Sequence, residues 1–449
     1  MAFTDVINSC DVLVIGGGPA GSTAGALLAE KGWQVVVLEK NHHPRFHIGE
    51  SLLPGTRKFF ERLGVQHAIE RIGLRKYGVQ INARDNRRAS TFYFDQALEP
   101  EYDYAYQVRR SEFDQILFYC CAAKGARVFE GVKVTAVEFS TTNGQPVIAA
   151  IDDAGRRHRW QARFVIDASG RDTLLAKQFR IKRRNRSHNT AALFGHFAGA
   201  KRLIGRDEGN ISICWFEHGW FWMIPLKDGV MSVGAVCDPA YLRSRTTSPE
   251  QFLLDTIALC SNVAERLKEA RLISPVTATG NYSYAAKRMT GNNYLIVGDA
   301  FAFVDPIFSS GVHLAMNSAV LGSDVVDSHL RGSSDYARTR RAFERAVQYG
   351  LKQFSWFIYR ATSPATQQLF MAPRNDFRTR EALISLLAGD VYNNKIGLPL
   401  LLFKGVYYIN SLHLFRQSYN AYRIRRSSLG LGSASSEPAA DVEKRKATL

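Results

Sequence analysis

The sequence predicts an α/β fold, with a Rossmann-type dinucleotide-binding domain interrupted by β-sheet insertions and followed by a C-terminal helical lobe. Three observations carry this. The run Gly16-Gly17-Gly18-Pro19-Ala20-Gly21 follows a short apolar stretch and opens a helical one. Around residues 75–105 and 185–285, β-branched and aromatic residues replace the helical pattern. From about Asp335 the chain turns helical and arginine-rich, then strongly aromatic at 354–359 (FSWFIY).

The elements follow in order. Asp11 to Ile15 (DVLVI) reads as a strand, Ala20 to Lys31 as a helix with small residues on its packing side, and Gln34 to Leu38 (QVVVL) as a second strand, which together begin a βαβ unit. The other half of the nucleotide domain comes much later, as Arg163 to Gly170 (RFVIDASG) and Asn293 to Asp299 (NYLIVGD), two strands ending in turn chemistry. The nucleotide domain is therefore discontinuous, over 1–74, 106–184 and 286–334. The insertions at 75–105 and 185–285 are assigned to a substrate domain and 335–426 to the helical lobe. The segment 427–449, rich in Ser, Gly and Ala, is expected to be disordered.

At 449 residues the chain is too long for one growing core, and 46% hydrophobic residues suffice for several lobes. The six cysteines have neither metal spacing nor a secreted disulfide pattern, and no metal site is expected; a reducing cytoplasm fits them. The N-terminus lacks the charged and apolar regions of a secretory signal. Ile396 to Phe415 is apolar but interrupted by Pro399, Lys404, Asn410 and His413, so a packed helical segment is expected and no integral membrane span. A formal charge of +17 favours anionic partners. Its densest run, Arg180 to Arg186 (RIKRRNR), lacks interleaved aromatics and matches no nucleic-acid motif, so a solvated connecting face is expected and no nucleic-acid partner; a dock for an acidic protein is the alternative.

Within the fingerprint, Gly16 permits the tight turn, Gly18 lets the backbone approach a pyrophosphate, and Gly21 lets the helix pack on the strand, with Ala20 beside it at the helix start. The helix N-terminus supplies unpaired N–H groups and partial positive charge for the phosphates. Glu39 ends the second strand, where a carboxylate accepts hydrogen bonds from the ribose hydroxyls and repels a 2′-phosphate. No second glycine fingerprint for a nicotinamide cofactor is visible.

Further segments carry a family resemblance. Arg45 to Ser51 (RFHIGES), Val108 to Asp114 (VRRSEFD), Val297 to Pro306 (VGDAFAFVDP), the K-x-G segment around Lys76, the run Asp305 to His313 (DPIFSSGVH) and the W-x-W-x-I-P box Trp220 to Pro225 resemble those of flavin-dependent halogenases. These belong to the wider class of FAD-dependent aromatic monooxygenase-like proteins, with a GR2/PHBH-like FAD-binding domain. The resemblance implies FAD, used as FADH2, with O2 and chloride or bromide as co-substrates. A separate NAD(P)H-dependent flavin reductase would deliver the reduced flavin. Arg110 would reach the flavin; the alternative is a helix-start surface arginine paired with Asp114 at i,i+4. Asp299 would bind the ribityl or pyrophosphate part; Arg45 and Glu50 are further flavin contacts.

The same resemblance implies that halide attacks a flavin C4a-hydroperoxide and that Lys76 directs the resulting hypohalous acid, through an ammonium hydrogen bond or a haloamine. Desolvation lets a buried lysine move between those states. Ser310 and Gly311, at a helix start, are the halide candidates, with Gly311 also against the flavin. Trp220, Trp222 and Pro225 would form a barrier between flavin and substrate, or ordinary core. The expected substrate is an electron-rich aromatic of phenol or pyrrole type, free or tethered to an acidic acyl or peptidyl carrier protein. Indoles are less favoured, because no motif places the tryptophan enzymes' catalytic glutamate. The alternatives are an FAD-dependent monooxygenase or geranylgeranyl-reductase-like enzyme, and a non-catalytic flavin-binding interaction protein.

Overall fold

A computed structural model describes residues 7–428, apart from 86, 140–143, 186–189, 281–282 and 374; nearly all of the 427–449 segment lies outside the described residues. The first strand spans Ile7–Ile15, four residues longer at its start than the apolar run, because Ile7 to Cys10 pair in parallel register with Arg159 to Ala162. Helix Pro19–Glu30 and strand Val35–Leu38 complete the βαβ beginning.

Five parallel strands form the nucleotide sheet in the order Tyr294–Ile296, Arg157–Asp167, Ile7–Ile15, Val35–Leu38, Arg127–Phe129. Val35–Leu38 is buried along its whole length, as a parallel strand covered on both faces must be. The chain leaves Ile7–Ile15 towards Val35–Leu38 on one side, while Arg157–Asp167 flanks the other. The crevice beyond the carboxyl ends of Ile15 and Asp167 is thus a topological switch point, where open α/β sheets bind ligands.

A second sheet runs Arg271–Leu272, Ala191–Ala198, Val230–Cys237, Gly219–Pro225, Ile211–Phe216, Gly78–Asn82, Ala89–Tyr93, with Thr277–Gly280 also on Ala191–Ala198. Gly78–Asn82 joins Ile211–Phe216 in parallel, so strands far apart in sequence share one sheet. Strand alternation divides its faces. Phe221 and Met223 pack with Phe252, Leu253 and Val263, while Trp220, Trp222 and Ile224 face the core shared with the helical lobe.

That lobe comprises helices Tyr336–Ile358, Pro364–Met371, Thr379–Ala388, Gly397–His413 and Phe415–Ser428. The aromatic run becomes the last turns of the first of these, with Phe354, Phe357 and Ile358 buried. No helix among the described residues is long and apolar enough to cross a membrane.

The basic run keeps the exposed face expected of it but is paired as a strand rather than left as a connection. Lys182–Arg184 is a strand antiparallel to Tyr284–Ala286, with the Lys182 ammonium 3.7 Å from the Tyr284 ring centre. Cross-strand pairing, which the charge pattern conceals, orders it, while Arg183 and Arg184 stay exposed. The adjacent cysteines also gain an explanation. A Cβ on Gly25 would meet Cys121 Sγ at 2.7 Å, so a small thiol and a glycine let helix Arg110–Ala123 approach helix Pro19–Glu30, while Cys120 Sγ donates to the Leu63 carbonyl at 3.5 Å.

Candidate active site

A cavity of about 1500 Å³ opens at the switch point and runs from the glycine turn to the W-x-W strand. It exceeds the roughly 300–1,000 Å³ of ordinary ligand pockets, as a dinucleotide requires. At its sheet end Gly16 has φ +102°, and any Cβ there would meet the Ala168 carbonyl oxygen at 2.5 Å. A Cβ on Gly21 would collide with the Gly16 carbonyl, so helix and turn touch through bare backbone. Gly18 faces open space up to Arg45 Nη2 at 3.4 Å, and Ala20 lies beside it on the wall. Glu39 is buried, its Oε2 accepting from the Gly17 N–H (2.7 Å) and its Oε1 from the Asn41 N–H (3.0 Å), which fixes a carboxylate beside the glycine turn.

Past this cradle stands a charged cluster. Arg110 donates to both oxygens of Asp114 (2.8 and 3.1 Å) and to the Ile48 carbonyl (2.6 Å). Arg45 Nη1 stands 3.3 Å from the same carboxylate. Burial pushes the Asp114 carboxyl up, but Arg110, through charge and hydrogen bond, and Arg45 outweigh it and hold the group below its ordinary pKa. Asp114 is thus the hub holding two arginines on the wall. Asp299 lies opposite, half-buried; burial pushes its carboxyl up to about 6 against the pull of Arg110 and Arg171. Burial and the neighbouring Arg110 bring His47 down to about 4, so it is neutral at physiological pH. Glu50 also lines the cavity, its carboxylate 3.0 and 3.1 Å from His196 Nε2. Arg45 Nε, 3.6 Å from Glu39 Oε1, is buried without a hydrogen bond, a donor that a pyrophosphate oxygen in the cleft would satisfy. Bare glycine backbone, a fixed carboxylate and an arginine pair around this volume fit FAD.

At the far end, the short turn Pro306–Phe308 is followed by Ser309 at φ +55°, then Ser310 and helix Gly311–Leu330. Ser310 and Gly311 line the cavity, and Ser310 makes no side-chain cap, so the first-turn N–H groups face it uncapped. Trp220, Trp222 and Ile224 form the opposite wall; Trp222 Nε1 donates to Ser232 Oγ (3.2 Å), and its ring lies over Gly234, where a Cβ would overlap it. Pro225 does not line this cavity: it ends the strand, paired with Met231.

Lys76 is likewise outside the main cavity. It ends strand Leu74–Lys76, is 1% exposed, and its Nζ donates to Ser51 Oγ (2.9 Å) and the Leu52 carbonyl (3.1 Å) above the Phe94 ring. Burial lowers its pKa from the usual lysine range to about 7. It lines a separate narrow cavity, with room for about one water, together with Leu53, Val79, Ile213, Phe308 and Leu387. Ser309 and Ile211 line both cavities, so the turn carrying Ser309 separates the lysine from the cofactor cleft.

Sequence patterns missed the residues that hold these groups: Ser51 and the Leu52 carbonyl under Lys76, Asp114 as hub, Arg171 near Asp299, and His196 on Glu50. Ser51 and Asp114 stand inside segments already singled out. His196 and Arg171 come from elsewhere in the sequence and needed the fold. Among the described residues no group of His, Cys, Asp and Glu is placed to hold a metal.

Comparisons with known proteins agree with this geometry. A family model for an FAD binding domain matches residues 9–347. The chain is 37% identical over 351 residues to a tryptophan 2-halogenase of Chondromyces crocatus, covering 76% of this chain and 65% of that protein. It is 30% identical over 409 residues to a 1H-pyrrole-2-carbonyl-[peptidyl-carrier protein] chlorinase of Pseudomonas fluorescens, covering 86% of this chain and 90% of that one. The solved structure of the myxobacterial chondrochloren halogenase, an FAD-dependent halogenase, superposes with a TM-score of 0.75 at 31% identity, covering 91% of this chain and 97% of that one. With that domain match and these relatives, the chain belongs to the flavin-dependent halogenase family and is an FAD-binding enzyme of the oxidoreductase type.

Proposed function

We propose that this enzyme chlorinates or brominates an electron-rich aromatic of phenol or pyrrole type, free or tethered to a carrier protein, and that Lys76 directs the electrophile. The observation that carries the reading is the buried Lys76 ammonium, with a pKa near 7, in a narrow cavity that shares Ser309 and Ile211 with the FAD cleft. Bound FAD, reduced by a separate flavin reductase, supplies with O2 the two-electron oxidation that turns halide into hypohalous acid.

The chain's own residues do the rest. Gly16, Gly18, Ala20 and Gly21 receive the pyrophosphate at the helix start, Glu39 takes the ribose, and Arg45, Arg110, Glu50 and Asp299 line the path to the ring. Ser310 and Gly311 offer halide the uncapped first turn of helix Gly311–Leu330, where partial positive charge gathers. Trp220 and Trp222 close the wall, with Pro225 ending their strand, and keep a bulky aromatic from the flavin. Ser51 and the Leu52 carbonyl hold Nζ in place.

At neutral pH Lys76 populates both states: the ammonium donates a hydrogen bond to hypohalous acid, and the amine accepts a proton or halogen. The residues lining its cavity are otherwise apolar or hydroxyl-bearing, with no carboxylate among the described ones. With no base beside Lys76 among the described residues, the chemistry suits a ring that activates itself through its own hydroxyl or pyrrole N–H. The Pseudomonas relative, which acts on a carrier-bound pyrrole, supports this class.

The test is mass spectrometry of products from enzyme, FAD, a flavin reductase, NADH and chloride or bromide, offered phenols, pyrroles and carrier-bound pyrrole. A halogen isotope pattern that requires halide and Lys76 is expected. Hydroxylated products formed without halide would replace this reading with a monooxygenase.

A further inference from the structure

The helical lobe ends in an outward apolar face. Helix Gly397–His413 seats Leu400, Phe403 and Tyr407 on the lobe, while Leu398, Leu401, Ile409 and Leu412 point away. Leu401 is 63% exposed, Ile409 70% and Leu412 72%, values unusual for side chains of this size. Within helix Gly397–His413, positions 398, 401, 409 and 412 have the spacing that puts side chains on one face. After a break at Leu414, helix Phe415–Ser428 leaves Phe415 and Tyr419 exposed as well. A helix apolar on two opposite sides has two apolar neighbours, and the lobe supplies one.

Charge identifies the other. Residues 397–428 contain Lys404, Arg416, Arg423, Arg425 and Arg426 and neither Asp nor Glu. A second copy placed on this face would set Lys404, Arg416 and Arg423 against their own kind. At the rim, Arg360 and Lys404 stack on Trp356 at 4.5 and 5.3 Å, and Arg360 Nη2 donates to Tyr408 Oη at 3.3 Å. An aliphatic ridge edged by tyrosine, tryptophan and cations is the make-up of a helix lying in the headgroup layer of a bilayer: apolar side chains enter the acyl boundary and cations meet lipid phosphates. No helix among the described residues is long and apolar enough to cross one.

We propose that helices Gly397–His413 and Phe415–Ser428 form a docking face for an anionic phospholipid bilayer, lying in its headgroup layer without spanning it. The two helices seat the enzyme by burying Leu401, Ile409, Leu412 and Phe415, while Arg416 and Arg423 select negative headgroups.

The test is co-sedimentation of the full-length FAD-loaded enzyme with vesicles of phosphatidylcholine alone or mixed with phosphatidylglycerol. Binding to the anionic vesicles that weakens with salt is expected, with a fall of about tenfold or more in Leu401→Glu/Leu412→Glu and in Arg416→Glu/Arg423→Glu. Both variants change exposed side chains and should keep the flavin spectrum, which checks folding without measuring turnover. Absence of binding to anionic vesicles, or binding that neither variant changes, would overturn the proposal. So would a lipid-free dimer that Leu401→Glu/Leu412→Glu turns into monomer, which would assign the face to a second copy. Specific capture of an acidic carrier protein through these residues without vesicle binding would assign it to that protein. None of these outcomes bears on whether the enzyme halogenates.

Discussion

A lysine that is 1% exposed and titrates near 7 is costly to keep, and that cost is a handle on its role. Its folded pKa lies below the unfolded value of about 10.4. Between the two the unfolded chain binds more protons, so stability rises with pH from about 7 to about 10 and is flat below 7 as far as this group is concerned. Lys76→Met removes the penalty, and we expect a higher Tm than wild type at pH 7 by calorimetry, together with loss of halogenated product by about 10²-fold or more. A lower Tm would mean that the Ser51 and Leu52 hydrogen bonds outweigh desolvation. Asp299→Ala should weaken FAD binding, read by flavin fluorescence, without unfolding the domain. The sequence marked both residues because flanking motifs stood around them. It left two readings of Arg110 open, and the fold joins them: the arginine pairs with Asp114 and also lines the cofactor cleft, beside Arg45 on the same carboxylate.

Among the elements, the glycine turn and the W-x-W strand make opposite demands on space. Gly21→Ala would drive a methyl into the Gly16 carbonyl, and an enzyme that fails to retain FAD is expected, measured as flavin-to-protein absorbance after purification. Gly311→Ala meets only the Phe303 ring, at 3.8 Å, so the fold should tolerate it. Its methyl would stand beside Ser310 on the cavity wall, and under the proposed halide role a raised halide KM with an unchanged Tm is the expected outcome. Gly234→Ala would push the Trp222 ring out of the wall. Oxygen consumed without product should rise, and an unchanged coupling ratio would remove the barrier role from this strand. Period-2 alternation made the Trp220–Trp222 face readable in advance. What that face meets was not readable, because the core it joins includes Phe354 and Phe357, over a hundred residues away.

Across the whole molecule, the helical lobe borders the lysine. Leu387, on helix Thr379–Ala388, reaches the Lys76 cavity, which otherwise belongs to the sheet and the Ser309 turn. Leu387→Ala should enlarge that cavity, lower stability by about 2–5 kcal/mol, and loosen the positional selectivity of halogenation, read from product isomers. The discontinuous nucleotide fold was legible because strand, glycine turn, helix, strand and acidic terminus occur in order near the start. The parallel union of Gly78–Asn82 with Ile211–Phe216 was not, since pairing across such a separation leaves no local pattern. The central claim is that Lys76, across the Ser309 turn from the flavin cleft, aims the halogen. The most direct measurement is product mass spectrometry on wild type and Lys76→Ala, both loaded with FAD and supplied with reductase, NADH, bromide or chloride, and a phenol or pyrrole panel. The account predicts a halogenated product from wild type and none from the variant, with equal flavin loading and oxygen uptake. Halogenated product from both at comparable rate and selectivity would contradict it.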